Sequence, residues 1–327
     1  MKKRFVLALT LLIGLFGSCN LFTEAAGNNT KAGMKIVVCA PQSPPAIPIL
    51  RMIATNALRG KAQLDLKLYS SMEEVLAIAT HTTTDYRILA LPVNTAVTLY
   101  NKGFAIKLLN VSVWGGMYLS AMDSDFRKWE DLRGKRLYVP AKGSVPDVLT
   151  NFFLQKHGVK KDEVEIVYSN HAEIAQLLAA GKAKYVIDAE PFVTANKENI
   201  QNYRVICNFV AEWKRSEGKK YDMPNFGAVA SGKLLVKSKL LKSFNKAYRK
   251  ALRWTIANPQ AAGELARKYL NANGKLIENA MPNFNFAFKT ASESRVDIKK
   301  YCQVLLGAKP ASIGGKIPDE KFYFESK

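Results

Sequence analysis

Two α/β units followed by a long helical segment are predicted by three observations. Short apolar strands alternate with amphipathic helices from residue 34 onward, helix-start signals stand directly after several strands, and helical periodicity is sustained beyond residue 238. With 327 residues, 48% of them hydrophobic, the chain can bury a large core in about two domains.

The first unit opens with the strand KIVVCA (35–40) and a helix over about 45–58. LDLKLY (64–69) with SMEEVLAIAT (71–80), then YRILALP (86–92) with NTAVTLYNKG (94–103), repeat the pair, Gly103 closing the last helix. AIKLLNVSVWG and MYLSAM follow as strands. The second unit starts at DSDFRKWEDLRGKRLYVP (123–140), a short helix, a turn at Gly134 and a strand. It continues through the helix of GSVPDVLTNFFLQKHG, the strand VEIVYS (164–169), the helix HAEIAQLLAAGKA, the strand YVIDAEP (185–191), a helix from about Pro191 and the strand YRVICNFV (203–210). WKRSEGKKYDMPN is a charged break; FGAVASGKLLV resumes as strand, and helices are expected over about 238–258, 259–270 and 294–306. There is no short tandem repeat.

The N-terminus reads as an export signal. Lys2, Lys3 and Arg4 precede an apolar run from Phe5 to Phe16, about 12 residues against the roughly 20 a transmembrane helix needs. Gly17 and Ser18 then stand before Cys19, a loose lipobox with Phe16 where Leu is usual, so residues 1–18 are expected to leave and Cys19 to be acylated. Residues 19–33 are small and polar, a tether. Loss of Lys2, Lys3 and Arg4 takes the formal charge from +21 to +18. Those cations are scattered and not interleaved with aromatics, so nucleic acid is not an expected partner. The remaining Cys39, Cys207 and Cys302 are odd in number and far apart, which excludes a disulfide framework and favours buried thiols.

Chemistry is best supplied where strands end and helices begin, since helix N-termini offer unpaired N–H groups. Five such junctions occur: APQSPP with Ser43, LPVNT with Asn94 and Thr95, KGSVPD with Ser144 and Asp147 spaced as a capping box, SNHAE with Asn170 and Glu173, and AEP with Pro191. Taken singly each residue reads first as a cap of its own helix; the five together, split across two lobes, read as the lining of a cleft if the lobes face each other. No H-E-x-x-H, G-x-S-x-G, Walker A, G-x-G-x-x-G or paired-cysteine motif is present, and His81, His157 and His171 are the only histidines, so neither a cofactor nor a metal site is expected. His157 suits a helix C-cap, whereas His171 lies in a junction and fits either a solvated first turn or a ligand contact. Trp114, before Gly115 and Gly116, is either a stacking platform or a core residue at a crossover; Phe192 and Phe226 make weaker claims of the same kind.

RILALPVNTAVTLYNKG, WEDLRGKRLYVPAKGSVPDVLTNFFLQKHGV, HAEIAQLLAAGKAKYVIDAEPFVT and NFGAVAS resemble the solute-binding proteins of ATP-driven importers, in the nitrate, sulfonate, taurine and thiamine-precursor (NMT1-like) group. The resemblance runs from Met34 to about Leu270. It implies a type II periplasmic-binding-protein clamshell of two α/β lobes joined by two crossover strands, residues 34–120 with 226–327 forming one lobe and 121–225 the other. It implies further a monomer that closes on a small ligand, docks on an ABC permease with its ATPase, and sits outside the cell membrane on a lipid anchor. The contact loops it implies hold Gln42 and Ser43, Asn94 and Thr95, Trp114 and Gly115, Gly143 and Ser144, Glu190 and Pro191, and Asn225 and Phe226. These loops hold no Arg, and with Trp114, Phe192, Phe226 and Glu190 at hand a heterocyclic, vitamin-precursor-like ligand is favoured over nitrate or a sulfonate. The competing readings are a surface receptor for acidic polymers and a pyrimidine-synthase-like enzyme.

Overall fold

The computed structural model describes residues 34–80 and 86–325; the export signal, the tether with Cys19, and His81 lie outside the described residues. In chain order the elements are β1 (Lys35–Pro41), α1 (Ile47–Ala54), β2 (Gln63–Tyr69), α2 (Met72–Thr80), β3 (Tyr86–Pro92), α3 (Val93–Asn101) and β4 (Ile106–Val113). Next come β5 (Met117–Ala121), β6 (Arg136–Pro140), α4 (Val145–Lys156), β7 (Glu165–Ser169), α5 (His171–Ala179), β8 (Tyr185–Ala189), α6 (Phe192–Asn199), β9 (Arg204–Asn208) and α7 (Phe209–Glu217). The chain finishes with β10 (Phe226–Gly232), α8 (Ser238–Ala257), α9 (Pro259–Leu270), α10 (Gly274–Ala280), β11 (Phe286–Thr290) and α11 (Arg295–Ala308).

Two sheets result. The first has the order β11-β4-β10-β3-β1-β2 and the second β7-β6-β8-β5-β9. β1, β2 and β3 are mutually parallel, while β10 runs antiparallel to both β3 and β4. In the second sheet β6 is parallel to β7 and β8, and β5 is antiparallel to β8 and β9. The chain therefore changes sheet between Val113 and Met117 and returns ahead of Phe226. The expected lobe boundary after residue 120 is corrected by this pairing, because Met117 lies opposite Ala189 in the second sheet. MYLSAM reads as a strand from its composition, but its partner is set by pairing far along the chain, which local pattern does not encode.

Both faces of each sheet are covered, and the period of two in the strands sorts the core. Val38, Ile88, Leu109 and Ala228 point to the face covered by α1, α8, α9 and α10. Cys39, Leu89, Leu108 and Val229 point to the opposite face, under α2, α3 and α11. α8 shows why it docks as it does: Leu241, Phe244, Tyr248, Ala251, Leu252 and Thr255 recur at helical spacing and are all buried. Two polar pairs fix it over β4, Asn110 Nδ2 donating to Asn245 Oδ1 at 2.9 Å and Tyr248 OH to Ser112 Oγ at 3.0 Å. The C-terminal segment is not wholly helical, as β11 and α10 depart from the expected pattern. FNFAFK alternates apolar and polar and adds a strand antiparallel to β4. WKRSE, read as part of a break, belongs to α7, which Asn208 caps by accepting from Val210 N at 2.8 Å.

The two sheets share one apolar core. The cluster under α3 and α11 continues into the second sheet through α4 and α7, where Leu119, Leu137, Val139 and Ile187 meet Val148, Phe153, Phe209 and Trp213. The join is Trp213 against Tyr301, with ring centroids 5.8 Å apart, and Phe152 at 6.3 Å from Trp213. Beside it the carboxylate of Glu217, 5% exposed, receives Lys156 of α4 at 3.0 Å and Lys300 of α11 at 2.5 Å. Trp213→Ala is expected to cost about 3–5 kcal/mol of unfolding free energy, measured by chemical denaturation. A loss under about 1 kcal/mol, the size of a surface effect, would show that the join carries little.

Candidate functional site

The strand ends that carry the predicted residues lie along one edge of each sheet. In the first sheet Pro92 pairs with Phe226 and Phe226 with Val113; in the second, Met117 pairs with Ala189 and Pro140 with Ser169. Trp114, Gly115 and Gly116 link the two edges directly, so the strand ends of the two sheets meet at this crossover, the place of the interlobe cleft that the sequence resemblance implies. Asn225, on the returning segment, closes the link by donating its Nδ2 to Gly115 O at 2.6 Å. Gly115 has a φ of +141°, and a β-carbon there would fall 2.2 Å from Val210 Cγ2, so this crossing requires glycine.

Of the five junctions, only that at Asn170 is capped as expected, its Oδ1 accepting from Glu173 N at 2.9 Å. Ser43 precedes a 3-10 turn over Pro44–Ala46 and makes no side-chain cap. Asn94 and Thr95 are not caps: Pro92 is, because α3 starts at Val93 directly from the strand. Asn94 Nδ2 instead reaches Ser312 O at 3.4 Å, and its Oδ1 is buried without a partner. Pro191 occupies the cap position of α6, one place before the first helical residue expected for it. Gln42 spans within the first lobe, its N–H bonded to Tyr69 O and its Nε2 to Leu270 O at 3.3 Å.

The KGSVPD junction departs from a capping box. Ser144 Oγ turns back to donate to Pro140 O at 2.9 Å, and the carboxylate of Asp147 accepts from Gly143 N at 2.7 Å. Asp147 is buried and held by Asn151 and by the Tyr168 hydroxyl at 3.0 Å, which fixes the turn from inside. Among the described residues no acceptor is bonded to the N–H of Val145 or Asp147, and Pro146 has none, so the positive end of α4 stays open. Gly143, with φ of +80°, cannot be replaced without straining this turn. Across it stands Lys309, whose Nζ lies 2.5 Å from the place a Gly143 β-carbon would take, so a cation of the first lobe overlies this second-lobe turn.

Trp114 is a core residue at the crossover. It is 5% exposed, its N–H donates to Asn285 O and its Nε1 to Ala287 O at 2.9 Å, and Lys289 Nζ covers its ring at 4.4 Å. Lys289 is in turn held by Asp222 at 2.7 Å and Asp297 at 2.8 Å, tying the returning segment to β11 and α11. Of the two readings open to Trp114, the geometry is that of a core residue, because β11, the strand that composition did not suggest, covers it. Phe226 likewise sits in the first lobe's core at 7% exposure.

His171 and Phe192 come together. Their rings stack at 4.6 Å between centroids and 4° between planes, and His171 Nδ1 meets Asp188 Oδ1 at 2.9 Å. Asp188 is buried and also accepts from Asn196 Nδ2 at 2.7 Å, so a partly exposed aromatic ledge is anchored at the ends of β7 and β8. His157 caps α4 as expected, and its two ring nitrogens also meet Glu130 and Glu212 within the second lobe.

Glu190 holds the hinge side of the cleft. Its N–H bonds to Gly116 O, and its Oε2 accepts from Thr194 N and Thr194 Oγ1. Burial pushes this carboxyl above the usual range, against the pull of hydrogen bonds from Thr194 and Asn283 and of the Lys197 charge. Asn283 comes from the other lobe to the same place, its Nδ2 3.4 Å from Thr194 Oγ1 and its carbonyl accepting from Tyr118 OH at 3.1 Å. Asn283, Tyr118 and Asp188 carried no signal in the sequence, since each gains its place only from sheet pairing. Burial pushes the thiols of Cys207 and Cys302 up to about 12 and raises that of Cys39, so among the described residues the cysteines are held as thiols.

Known structures share this architecture. An ABC transporter protein from Parabacteroides distasonis superposes with a TM-score of 0.76 at 21% identity, over 90% of this chain and 100% of that one. The periplasmic aliphatic sulphonate binding protein SsuA from Escherichia coli gives 0.70 at 12% identity, over 90% and 92%. The desulfurization enzyme DszB gives 0.58 at 15%, over 84% and 92%. These likenesses establish the type II periplasmic-binding-protein fold, and among the described residues no helix is long and apolar enough to cross a membrane. No curated protein matches the chain. The model of the family described as NMT1/THI5 like matches residues 62–262, from β2 to the first turn of α9, and the chain belongs to that family.

Proposed function

We propose that the chain is the substrate-binding component of an ABC importer, taking a small molecule with N–H donors, such as a nitrogen heterocycle of the vitamin-precursor kind, into the interlobe cleft. The observation that carries this reading is the carboxylate of Glu190 beside the crossover, where burial disfavours the charge more than the hydrogen bonds from Thr194 and Asn283 and the charge of Lys197 relieve it. A ligand N–H or cation placed against this carboxylate offsets that cost. The His171–Phe192 ledge adds a flat apolar surface for a ring, and the open N-terminus of α4 with Lys309 above it adds donors for an acceptor group on the same ligand. A simple sulfonate or nitrate suits the α4 end but is repelled by Glu190 when ionised.

Export and delivery follow from the same reading. Cys19 carries the acyl anchor, residues 19–33 form the tether, and the closed monomer presents its ligand to a membrane permease coupled to an ATPase. Structural neighbours named as an ABC transporter protein and as a sulphonate binding protein support this role over an enzymatic one. The buried thiols and the lack of a catalytic motif in the sequence point the same way.

Calorimetric titration against aminopyrimidines and other heterocycles beside taurine, alkanesulfonates and nitrate tests the ligand class. Micromolar or tighter binding confined to the heterocycles is expected; tight binding of a sulfonate with no heterocycle response overturns the proposal. Glu190→Gln removes the charge but keeps the shape, and is expected to weaken the bound heterocycle by about 10–100-fold, the worth of a charge-assisted hydrogen bond.

The same variant has a pH signature in the ligand-free protein. The folded Glu190 carboxyl titrates above its unfolded value, so its contribution to stability is whole at low pH and is lost as pH rises through the folded value. Glu190→Gln is therefore expected to raise Tm at about pH 7.5, with the gain vanishing near about pH 4. A Tm that falls equally at both pH values would show that the carboxylate is structurally satisfied.

A further inference from the structure

α8 presents one face to the core and a strongly basic face outward. Its sequence SKLLKSFNKAYRKALRWTIA has six Lys and Arg and no Asp or Glu. Two adjoining grooves run along it. One, of about 710 Å3, is lined by Met34, Lys61, Val236, Lys237 and Lys239 among others; the second, of about 590 Å3, by Lys61, Lys246, Arg249, Lys250 and Arg253. Lys61 and Ser243 line both, so the grooves are continuous, and no carboxylate lines either. Arg249 meets Glu293 at 3.8 Å.

Two further observations choose among anionic partners. Val236 is 82% exposed at one end of this face and Ile256 is 47% exposed at the C-terminal end of α8, so apolar tips stand among the cations. Met34, the first described residue, lines the first groove itself. A grooved basic surface with projecting apolar side chains fits the boundary between lipid headgroups and acyl chains, where cations meet phosphate and apolar tips enter the bilayer.

We propose that the basic face of α8, with Lys61 and Val236, docks the protein on a bilayer rich in anionic phospholipid. The residues lining the grooves are not those of the cleft, so docking leaves ligand binding unobstructed. The proposal stands independently of what the cleft binds, and a ligand-induced rise in Tm reports on that separately.

The test uses the full chain with Cys19→Ser, so that no acyl group forms at that position, and vesicles of phosphatidylcholine alone or mixed with phosphatidylglycerol. Co-sedimentation is expected to show at least about 10-fold tighter binding to the mixed vesicles, released by 0.5 M salt as screening predicts. Lys246→Glu with Lys250→Glu and Arg253→Glu, all exposed positions on α8, is expected to lower that binding by about 10-fold or more with Tm unchanged, since Glu is a good helix former. Val236→Asp, away from α8, gives a second reading and is expected to weaken vesicle binding without touching the cation set. Equal binding to both vesicle types overturns the proposal, as does a triple variant that binds as the parent does. Retention on a soluble polyanion such as heparin, with no preference for the anionic vesicles, also overturns it and assigns the face to an acidic polymer.

Discussion

The apolar join between α11 and the second lobe constrains everything else in this molecule. Trp213, Tyr301 and Phe152 make the two lobes share one core, and Glu217 fastens both sides with Lys156 and Lys300. The crossovers at Trp114–Gly116 and Asn225 join the same two sheets a second time, through the Asn225 bond to Gly115 O. Lys289, sandwiched between Trp114 and two carboxylates, holds that crossover in place.

The residues of the proposed site differ in polarity from one end to the other. At the crossover stands the Glu190 carboxylate, whose charge burial disfavours; at the α4 end the field is positive, from the helix N-terminus and Lys309. On the proposed reading, a ligand that donates at one end and accepts at the other suits both, while a purely anionic one is favoured at only one of them.

Much of the fold was legible in the residues. Alternation of strands and helices, the boundaries of α8 and α9, and the cap at Asn170 follow from local pattern, because each depends on neighbours within a few positions. The partner of β5 and the existence of β11 were not legible, since strand pairing is a long-range property and FNFAFK lies between helical stretches. The site shows the same division. Gly115 and Glu190 stand in loops that the family resemblance implies, yet the burial of Trp114 depends on β11, and the contacts of Asn283 and Tyr118 arise only from long-range packing. The capping box at Ser144 and Asp147 had the right spacing; the side chain of Ser144 found Pro140 O instead, which leaves the helix end free.

Native mass spectrometry of the chain purified without refolding tests the central claim most directly, because it asks whether the cleft holds a molecule at all. The account predicts a single small adduct that is released on denaturation, contains basic or N–H-bearing nitrogen, and is missing from Glu190→Gln prepared in parallel. A bare polypeptide mass, or an adduct kept equally by both proteins, would contradict it.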